Sequence, residues 1–411
     1  MVHILITTFL FEPDVGGGAA SVPYCLAQEL VSKGYKVSVI TSSPYKRNKS
    51  EQMEGINIYK LPPFNLYWVY DKENKPLFQK IIWQLIDTWN PFVFKQTKTI
   101  IQQIEPDLIH VHKLRGLSPS VWSAAAACVI PVVHTCHDYE LISPQGTLSG
   151  KIGKLALNRS ILLRPYQSIR RQASRAVTAF TAPSNKLLQK HLNFGFFSNA
   201  SHRVIPNSHG YSDTQLVIFE ANNLERRNES PLRILFLGRV HEEKGVQDLL
   251  QAFFEAYNEN HGVTLDIAGE GPLLADLKKQ FGEHPAIHFH GHVKGEEKER
   301  LFEQCDVVIF PSRVQEGLGI VILEAFAHGK PVIASRCGGP EEIVENGVTG
   351  FLFDISDNSK LKELIINAAN HPEVIFNLRT NCYSRAKKYC LGEVINSYES
   401  LYLTLVKKNE K

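Results

Sequence analysis

The stretch PSRVQEGLGIVILEAFAHGKPVIAS, residues 311–335, decides the fold of the second half of the chain. It follows an apolar run at 307–310 that is typical of a buried strand, and it passes through a glycine-bearing turn into the apolar spacing of a helix. Two carboxylates lie eight residues apart in it. We expect Glu316 in the turn and Glu324 about two turns inside the helix.

The glycines between these carboxylates give the turn the features of a ligand site. Gly317 and Gly319 allow the backbone to approach a ligand, and the first-turn amides of a helix have no partner within the helix. Such amides attract an anion. Two interpretations stay open: a site for a polyhydroxylated, phosphorylated ligand, or a capped helix whose glutamates are solvated.

The segment EGLGIVILEA, residues 316–325, resembles the E-x7-E signature of the retaining glycosyltransferases of family 4. Other motifs similar to those of this family recur in order along nearly the whole chain. The resemblance implies an α/β fold of two facing Rossmann-like domains, the GT-B architecture. It also implies a deep interdomain cleft and a C-terminal helix that returns to the first domain.

Length and composition fit this expectation. A chain of 411 residues favours two domains, and 43% apolar with 21% charged residues is ordinary for a soluble protein. A net charge of +3 does not by itself indicate nucleic acid. The seven cysteines form no C-x-x-C pair, and the apolar N-terminus lacks a basic leader. We expect a cytoplasmic protein, with peripheral attachment to the cytoplasmic membrane face left open.

The first βαβ unit carries a glycine-rich loop. Residues 3–7 and 35–41 predict strands, and residues 20–33 predict a helix. The loop before the helix contains three consecutive glycines: Gly16, Gly17 and Gly18. It is not a dinucleotide fingerprint, because Ser21 occupies the third glycine position. The resemblance implies that this loop approaches the donor phosphates, and a surface loop is the alternative.

Histidines follow two later strands of the first half. His110 and His112 share one face of a predicted strand, but no third metal ligand accompanies them. His137 and Asp138 end the strand that begins at Pro131. They match the histidine–aspartate step that the resembling family places beside the donor sugar. A core or capping histidine is the alternative for His137.

Two segments of the first half leave their role open. Residues 61–104 are rich in aromatic residues, with apolar residues at helical spacing; they predict either core or an acceptor pocket or membrane-contacting helix. Residues 141–212 contain no Asp or Glu and interleave Lys and Arg with apolar residues. This pattern suits an anionic membrane surface or a phosphorylated acceptor, or else a solvated basic helix. No nucleic-acid motif accompanies the charge, so we expect no nucleic-acid partner.

The second half carries a diphosphate motif. A strand at 233–237 leads into Gly238 and Arg239, and Lys244 follows after a short turn. Two cations at the carboxyl end of a strand can straddle a diphosphate. This G-R-x4-K-G pattern resembles a family hallmark, and two surface cations are the alternative. The resemblance also implies that Gly269 and Glu270 lie near the nucleoside, with backbone groups around Val293 forming the base pocket.

Together these motifs predict a retaining glycosyltransferase with a UDP- or GDP-linked sugar donor and a glycan, lipid-linked or other hydroxyl acceptor. The expected catalytic residues are His137, Arg239, Lys244 and Glu316. The expected donor-binding residues are Gly16, Gly17, Gly18, Gly238, Arg239, Lys244, Gly269, Glu270, Val293, Glu316, Gly317, Leu318, Gly319, Ile320 and Glu324. We expect no cofactor and no metal, because no Asp-x-Asp pair follows a strand beside the proposed diphosphate site.

The domain boundaries follow from the same motifs. We expect an acceptor-binding domain at 1–210, a linker at 211–231, a nucleotide-sugar-binding domain at 232–385 and a returning C-terminal helix at 386–411. An inactive homologue that serves as a membrane or assembly scaffold is the alternative, but Glu316, Lys244 and His137 are all present. A nicotinamide-dependent dehydrogenase is disfavoured, because the glycine fingerprint is missing from the sequence.

Overall fold

The computed structural model describes residues 1–11, 18–71, 75–222 and 231–409. The chain divides into two compact units. The first unit contains Met1–Pro206 together with Val394–Lys411, and the second contains Asn207–Glu393. Each unit is built around its own sheet.

The first unit contains an eight-stranded sheet. Its strands are β1 (His3–Thr7), β2 (Lys36–Ser42), β3 (Lys49–Met53), β4 (Ile56–Leu61), β5 (Leu108–Val111), β6 (Val132–Thr135), β7 (Ala179–Ala182) and β8 (Ser201–Val204). The spatial order is β3-β4-β2-β1-β5-β6-β7-β8. Only β3 pairs antiparallel, with β4. Strands β1, β5, β6 and β7 are buried throughout, as expected for parallel strands covered on both faces.

Helices of the first unit connect these strands. They are α1 (Gly18–Ser32), α2 (Leu77–Thr88), α3 (Pro91–Ile104), α4 (Ser120–Ala127), α5 (Gly150–Leu157), α6 (Arg164–Ala173) and α7 (Asn185–Asn193). The core between helices and sheet is aromatic, with Trp122 packed edge-on against Phe197 and Phe197 stacked on Phe180. This core fixes the carboxyl ends of β5 and β6, which carry the histidines.

The second unit contains a six-stranded parallel sheet. Its strands are β9 (Leu232–Leu237), β10 (Val263–Ala268), β11 (Ile287–Gly291), β12 (Val307–Phe310), β13 (Val332–Ser335) and β14 (Gly350–Phe353). The spatial order is β11-β10-β9-β12-β13-β14. The chain therefore runs outward from β9 through β11 and returns to β12 on the other side of β9. Such a reversal is where open parallel sheets bind ligands.

Helices of the second unit follow the same alternation. They are α8 (Asp213–Asn222), α9 (Val246–Glu259), α10 (Leu274–Phe281), α11 (Gly295–Gln304), α12 (Ile320–Ala327), α13 (Pro340–Ile343), α14 (Asn358–Asn370), α15 (Pro372–Asn377) and α16 (Arg379–Ala386). The short helix α12 is almost entirely apolar and packs between the sheet and α16. Its burial fixes the direction in which its N-terminus points.

The last helix, α17 (Leu391–Asn409), joins the first unit from Val394 onward. Tyr398 and Tyr402 are fully buried there. The Tyr402 hydroxyl lies 2.6 Å from Nδ1 of His110, and the Tyr398 hydroxyl lies 3.2 Å from Oγ1 of Thr135. The last helix returns to the first unit as expected, but it does so from Val394 rather than from residue 386.

Two details differ from the sequence-based expectation. Residues 211–222 of the expected linker belong to the second unit, because Tyr211 and Leu216 are buried in its core. Residues 223–230 lie outside the described residues. Glu324 lies one turn rather than two inside α12, since Gly319 adopts a left-handed conformation (φ 95°) and the helix begins only at Ile320.

Candidate functional site

The motifs of the second unit meet at the carboxyl ends of β9 and β12, which are neighbours in the sheet. Gly238 and Arg239 directly follow β9, and Lys244 ends a 3₁₀ turn at Glu242–Lys244. Glu316 lies in the segment between β12 and α12. Because the sheet order reverses between these two strands, their loops flank the position that ligands occupy in open α/β sheets.

Glu316 is held by two side chains. The ammonium of Lys244 lies 2.5 Å from Oε1 of Glu316, and the hydroxyl of Ser312 donates to the same oxygen at 2.6 Å. The backbone of Glu316 is fixed as well, since its N–H donates to the carbonyl of Cys337 at 2.7 Å. The Glu316 side chain is 17% exposed. It is therefore not the solvated glutamate of the alternative interpretation.

A close backbone approach explains one of the predicted donor glycines. A Cβ at Gly269 would lie 1.8 Å from the carbonyl oxygen of Gly238, so no other residue fits there without backbone movement. The N–H of Gly269 donates to the carbonyl of Gly291, and the N–H of Val240 donates to the carbonyl of Glu270. These contacts tie the carboxyl ends of β9, β10 and β11 together.

The turn before α12 places backbone amides at the same edge. Gly319 is the N-cap residue of α12, and in the part of the chain that the structure describes no side chain caps this N-terminus. Leu318 is buried, while Gly317 and Ile320 are half-buried. A helix N-terminus beside Lys244 combines the two kinds of group that bind phosphate oxygens.

Glu324 has a second lysine as its partner. The ammonium of Lys298 on α11 lies 2.9 Å from Oε1 of Glu324. Burial raises the pKa of the Glu324 carboxyl, although the Lys298 charge opposes this shift. Neighbouring Glu299 accepts from the Tyr211 hydroxyl at 2.8 Å and lies 2.7 Å from Nε2 of His328. The sequence did not predict Lys298, Glu299 or Tyr211, because they contact Glu324 or its helix only through the fold.

Arg239 and Val293 complete the predicted donor residues of this unit. The Arg239 side chain is 66% exposed, and its guanidinium is 3.9 Å from the Glu243 carboxylate. That distance leaves only a weak surface ion pair. Val293 follows β11 and is buried. Lys244 is therefore paired with Glu316, whereas the Arg239 guanidinium lies exposed at the surface.

His137 lies in the first unit and is oriented by a second histidine. Nε2 of His137 lies 2.9 Å from Nδ1 of His112, and the two rings stack with centroids 5.2 Å apart. Burial, together with the charge of Lys113, holds the pKa of His137 well below its usual value. Burial does the same for the pKa of His112. Both rings are therefore neutral at neutral pH.

Charged groups follow His137 directly. The Lys113 ammonium lies 2.5 Å from Oδ2 of Asp138. Burial and the Asp138 charge raise the pKa of Glu140 to about 7, and Oε1 of Glu140 accepts from the N–H of Leu114 at 2.9 Å. The sequence indicated Asp138 but not Lys113 or Glu140. Of the predicted glycine loop, Gly16 and Gly17 lie outside the described residues, and Gly18 begins α1.

Two features of the described residues bear on metals and membranes. Among them, no group of three or more His, Cys, Asp or Glu side chains is placed to hold a metal ion. Metal independence stays a prediction. Across the same residues, every helix is too short or too polar to pass through a lipid bilayer.

Two family models match the chain. Residues 16–208 match the model described as Glycosyltransferase Family 4, and residues 218–389 match the model described as Glycosyl transferases group 1. Together they cover most of both units. The boundary between the matches falls close to the boundary between the units.

Relatives of known sequence align with most of the chain. An uncharacterised 42.6 kDa protein in the cps region of Klebsiella pneumoniae is 28% identical over 340 residues, 83% of this chain and 86% of that protein. The alpha-monoglucosyldiacylglycerol synthase of Acholeplasma laidlawii is 25% identical over 422 residues, 100% of this chain and 99% of that enzyme.

Solved structures share the fold. HepE from Anabaena in complex with UDP is 18% identical and has a TM-score of 0.69, covering 98% of this chain and 100% of that chain. The sucrose-phosphate synthase of Thermosynechococcus elongatus is 18% identical and has a TM-score of 0.72, covering 99% and 100%. With both family models matched and this fold, the chain belongs to the family 4 glycosyltransferases of GT-B architecture.

Proposed function

We propose that this glycosyltransferase moves a sugar from a UDP- or GDP-linked donor to a hydroxyl group of a glycan or lipid-linked acceptor, with retention of anomeric configuration. The observation that carries the proposal is the pair of Lys244 and Glu316 at the reversal between β9 and β12. A cation for the diphosphate and a carboxylate for the sugar hydroxyls stand next to each other there.

The diphosphate is proposed to bind between Arg239, Lys244 and the N-terminus of α12. Arg239 offers a planar fork of donors and Lys244 a point charge, while the amides near Gly319 add a positive dipole end. A diphosphate that takes up the Lys244 ammonium weakens its pair with Glu316. The Glu316 carboxylate then becomes able to accept hydrogen bonds from the donor sugar.

Transfer with retention is proposed to proceed on one face of the sugar. The bond from the anomeric carbon to the diphosphate oxygen breaks, and the acceptor oxygen bonds to the same face of that carbon. The acceptor proton passes to the leaving diphosphate, which gains the electron pair of the broken bond. The protein's part is then to position both substrates and to stabilise the charge that develops on the diphosphate.

Glu324 and His137 are assigned contacts with other parts of the donor. Glu324 is proposed to accept hydrogen bonds from the ribose hydroxyls. Without a bound donor, its partner is Lys298. Backbone groups near Glu270 and Val293 are proposed to meet the base. His137 is proposed to contact the transferred sugar through the ring nitrogen that does not face His112.

Relatives support a nucleotide-sugar donor and a glycolipid or polysaccharide acceptor. HepE structures hold UDP, and one holds UDP-glucose. The Acholeplasma relative is a synthase of a glucosyl glycolipid, and the Klebsiella relative is encoded in the cps region. These observations favour UDP over GDP as the first donor to test.

The test begins with a thermal-shift screen of UDP- and GDP-linked sugars. A ligand at about 100 times its Kd stabilises the folded protein by about 2.7 kcal/mol, which is readily measured. The stabilising donor is then incubated with glycolipid and oligosaccharide acceptors while release of nucleoside diphosphate is followed. Acceptor-dependent release supports the proposal. Binding without any release across the acceptors would favour an inactive scaffold instead.

A further inference from the structure

Helix α2 turns an apolar face to solvent. Its apolar face consists of Leu77, Phe78, Ile81, Ile82 and Leu85, and it continues past the helix with Trp89 and Phe92. Leu77 is 74% exposed, Leu85 is 65% exposed and Phe92 is 64% exposed. A surface helix normally turns this stripe toward the core. A contiguous exposed surface formed by several large apolar side chains marks an interaction site.

Polar contacts hold α2 in this orientation. The guanidinium of Arg170 on α6 donates to Oδ2 of Asp87 at 3.0 Å, with both side chains buried. Oδ1 of Asp87 accepts from the N–H of Gly116 at 2.7 Å. On the same inward side, Nε1 of Trp83 donates to the carbonyl of Tyr67 at 2.9 Å. Rotating α2 to bury its apolar face would break these contacts and separate Asp87 from Arg170, which would leave a buried charge without its partner.

Helices α5 and α6 extend this surface with basic residues. Ile169 of α6 lines the same depression as Trp89, and Gln167 ties α6 to α5 by donating to the carbonyl of Ala156 at 3.2 Å. The segment 151–164, here the basic segment, exposes Ile161 and Leu162 at 73% and 75%. Its exposed cations are Lys151, Lys154, Arg159 and Arg164.

Acidic groups are missing from both segments. Residues 76–104 contain Asp87 as their single acid, and it is buried and paired. Residues 141–212 contain no acid at all. Exposed Leu, Ile, Phe and Trp side chains beside Lys and Arg match an anionic lipid surface. A protein partner would need an apolar groove rimmed by acids, a more specialised complement than the bilayer interface provides.

We propose that the α2 apolar face inserts into the interfacial layer of an anionic bilayer, while the basic segment contacts the lipid headgroups. The interaction is peripheral, because the apolar face is one helix stripe rather than a spanning segment. It is independent of the proposed transfer reaction, since none of these side chains belongs to the donor site. An experiment that disproves membrane binding would therefore leave the proposed transfer reaction untouched, and the reverse also holds.

Flotation with vesicles tests the apolar face. The full chain should bind vesicles of phosphatidylcholine and phosphatidylglycerol in about equal amounts, and only weakly those of phosphatidylcholine alone. The double variant Ile82→Gln with Leu85→Gln should lose affinity by about tenfold or more, since two side chains no longer enter the apolar layer. Val217→Gln, which replaces a 62% exposed valine of α8, is the matched control and should bind like the wild type.

The basic segment is tested by charge removal. Lys151→Gln with Lys154→Gln should weaken binding to the anionic vesicles and reduce its dependence on salt. Lys278→Gln with Lys279→Gln removes two exposed lysines of α10 and should change neither. If the two pairs had equal effects, net charge rather than this segment would account for the attraction, and the assignment of the basic segment would be wrong.

Insertion has its own readout. Brominated lipid should quench tryptophan fluorescence on binding, and Trp89→Phe should remove most of that quenching, because Trp83 and Trp122 are buried and Trp68 is partly buried against the core of the first unit. Unchanged flotation of the α2 variant, or quenching that survives in Trp89→Phe, would overturn the proposal. Self-association in sedimentation that vanishes in the α2 variant, without vesicle binding by the wild type, would reassign the surface to contact between two copies.

Discussion

Lys244 and Glu316 are 72 positions apart in the chain, yet the Lys244 ammonium lies 2.5 Å from the Glu316 carboxylate. The pair spans the carboxyl ends of two adjacent parallel strands, β9 and β12. Each charge neutralises the other while no donor is bound. A diphosphate that competes for Lys244 would release the Glu316 carboxylate from this ion pair. Donor binding itself is therefore proposed to make Glu316 available to accept hydrogen bonds from the sugar hydroxyls.

The first prediction concerns Glu316→Gln. If Glu316 aligns the sugar while the anomeric bond breaks, the variant should lower kcat by about 10² or more, as misplacement at a reacting centre does. The amide keeps the side-chain volume and can still accept from Ser312. Steady-state kinetics of the folded variant measure the effect. Glu297→Gln, an exposed glutamate of α11, is the control, and an unchanged kcat for Glu316→Gln would remove its catalytic role.

The second prediction separates Glu324 from Glu316. A ribose contact is similar in the ground and transition states, so Glu324→Gln should mainly raise the donor KM and leave kcat within a few-fold. Lys298 loses its charged partner in this variant, and the nucleoside diphosphate alone should also bind more weakly. Titration calorimetry with that product checks the second point. A large fall in kcat with an unchanged KM would contradict the ribose assignment.

The third prediction concerns His137. His137→Ala should lower kcat as Glu316→Gln does, because both residues are proposed to contact the transferred sugar. His112→Ala removes only the neighbour that orients the ring, so it should have a smaller effect of the same kind. His261→Ala, in the second unit, serves as the control. Wild-type kinetics in His137→Ala would limit this histidine to a packing role.

The fourth prediction is a pH dependence of stability. The pKa of Glu140 is raised to about 7 by burial and by Asp138, against the opposing charges of Lys113 and Arg170, whereas the unfolded value is 4.5. Between these values the folded chain holds a proton that the unfolded chain has lost. The stability due to Glu140 is thus full below about pH 4.5 and falls as the pH rises toward 7.

Glu140→Gln cannot ionise, so this loss should vanish. Its free energy of unfolding, relative to wild type, should increase by roughly 1–3 kcal/mol between about pH 5 and pH 8. All four tryptophans lie in the first unit, so fluorescence during urea unfolding reports on the unit that contains Glu140. A difference that is constant with pH would show that Glu140 is ionised in the fold throughout.

The fifth prediction is metal independence of transfer. Arg239 and Lys244 are proposed to supply the positive charge at the diphosphate, so EDTA should leave the rate within about twofold. The rate with and without EDTA, followed by addition of magnesium or manganese, measures this directly. Loss of turnover that either ion restores would show that the charge at the diphosphate is neutralised differently.

The sequence predicted those elements of the fold that depend only on neighbouring residues in the chain. The apolar run at residues 3–7 became β1 with the same bounds, and the glycines around Glu316 marked the start of α12 to within a turn. The sequence placed Arg239 and Lys244 after a strand because the strand and turn are contiguous. Helix α17 was expected from the family resemblance, and its buried Tyr398 and Tyr402 anchor it in the first unit.

Contacts between distant segments were not predictable in the same way. Lys298 of α11 meets Glu324 of α12 only because the fold places these two helices side by side. His112 meets His137 because the neighbouring parallel strands β5 and β6 end at the same edge of the sheet. Residues 211–222 fall within the expected linker at 211–231, and the sequence does not show that Tyr211 and Leu216 are buried, because the core that covers them is built by distant segments. The sequence leaves open whether the apolar stripe of α2 faces the core or solvent, because periodicity shows a stripe but not the direction in which it faces.

Transfer with retention at the Lys244–Glu316 pair can be read from the anomeric configuration of the product. The wild type is incubated with the stabilising α-linked donor and its acceptor, and the new linkage is read by proton NMR at early times. We expect an α-linkage together with stoichiometric nucleoside diphosphate, and strongly slowed formation of both in Glu316→Gln. A β-linked product, or the same rate in Glu316→Gln, would contradict it.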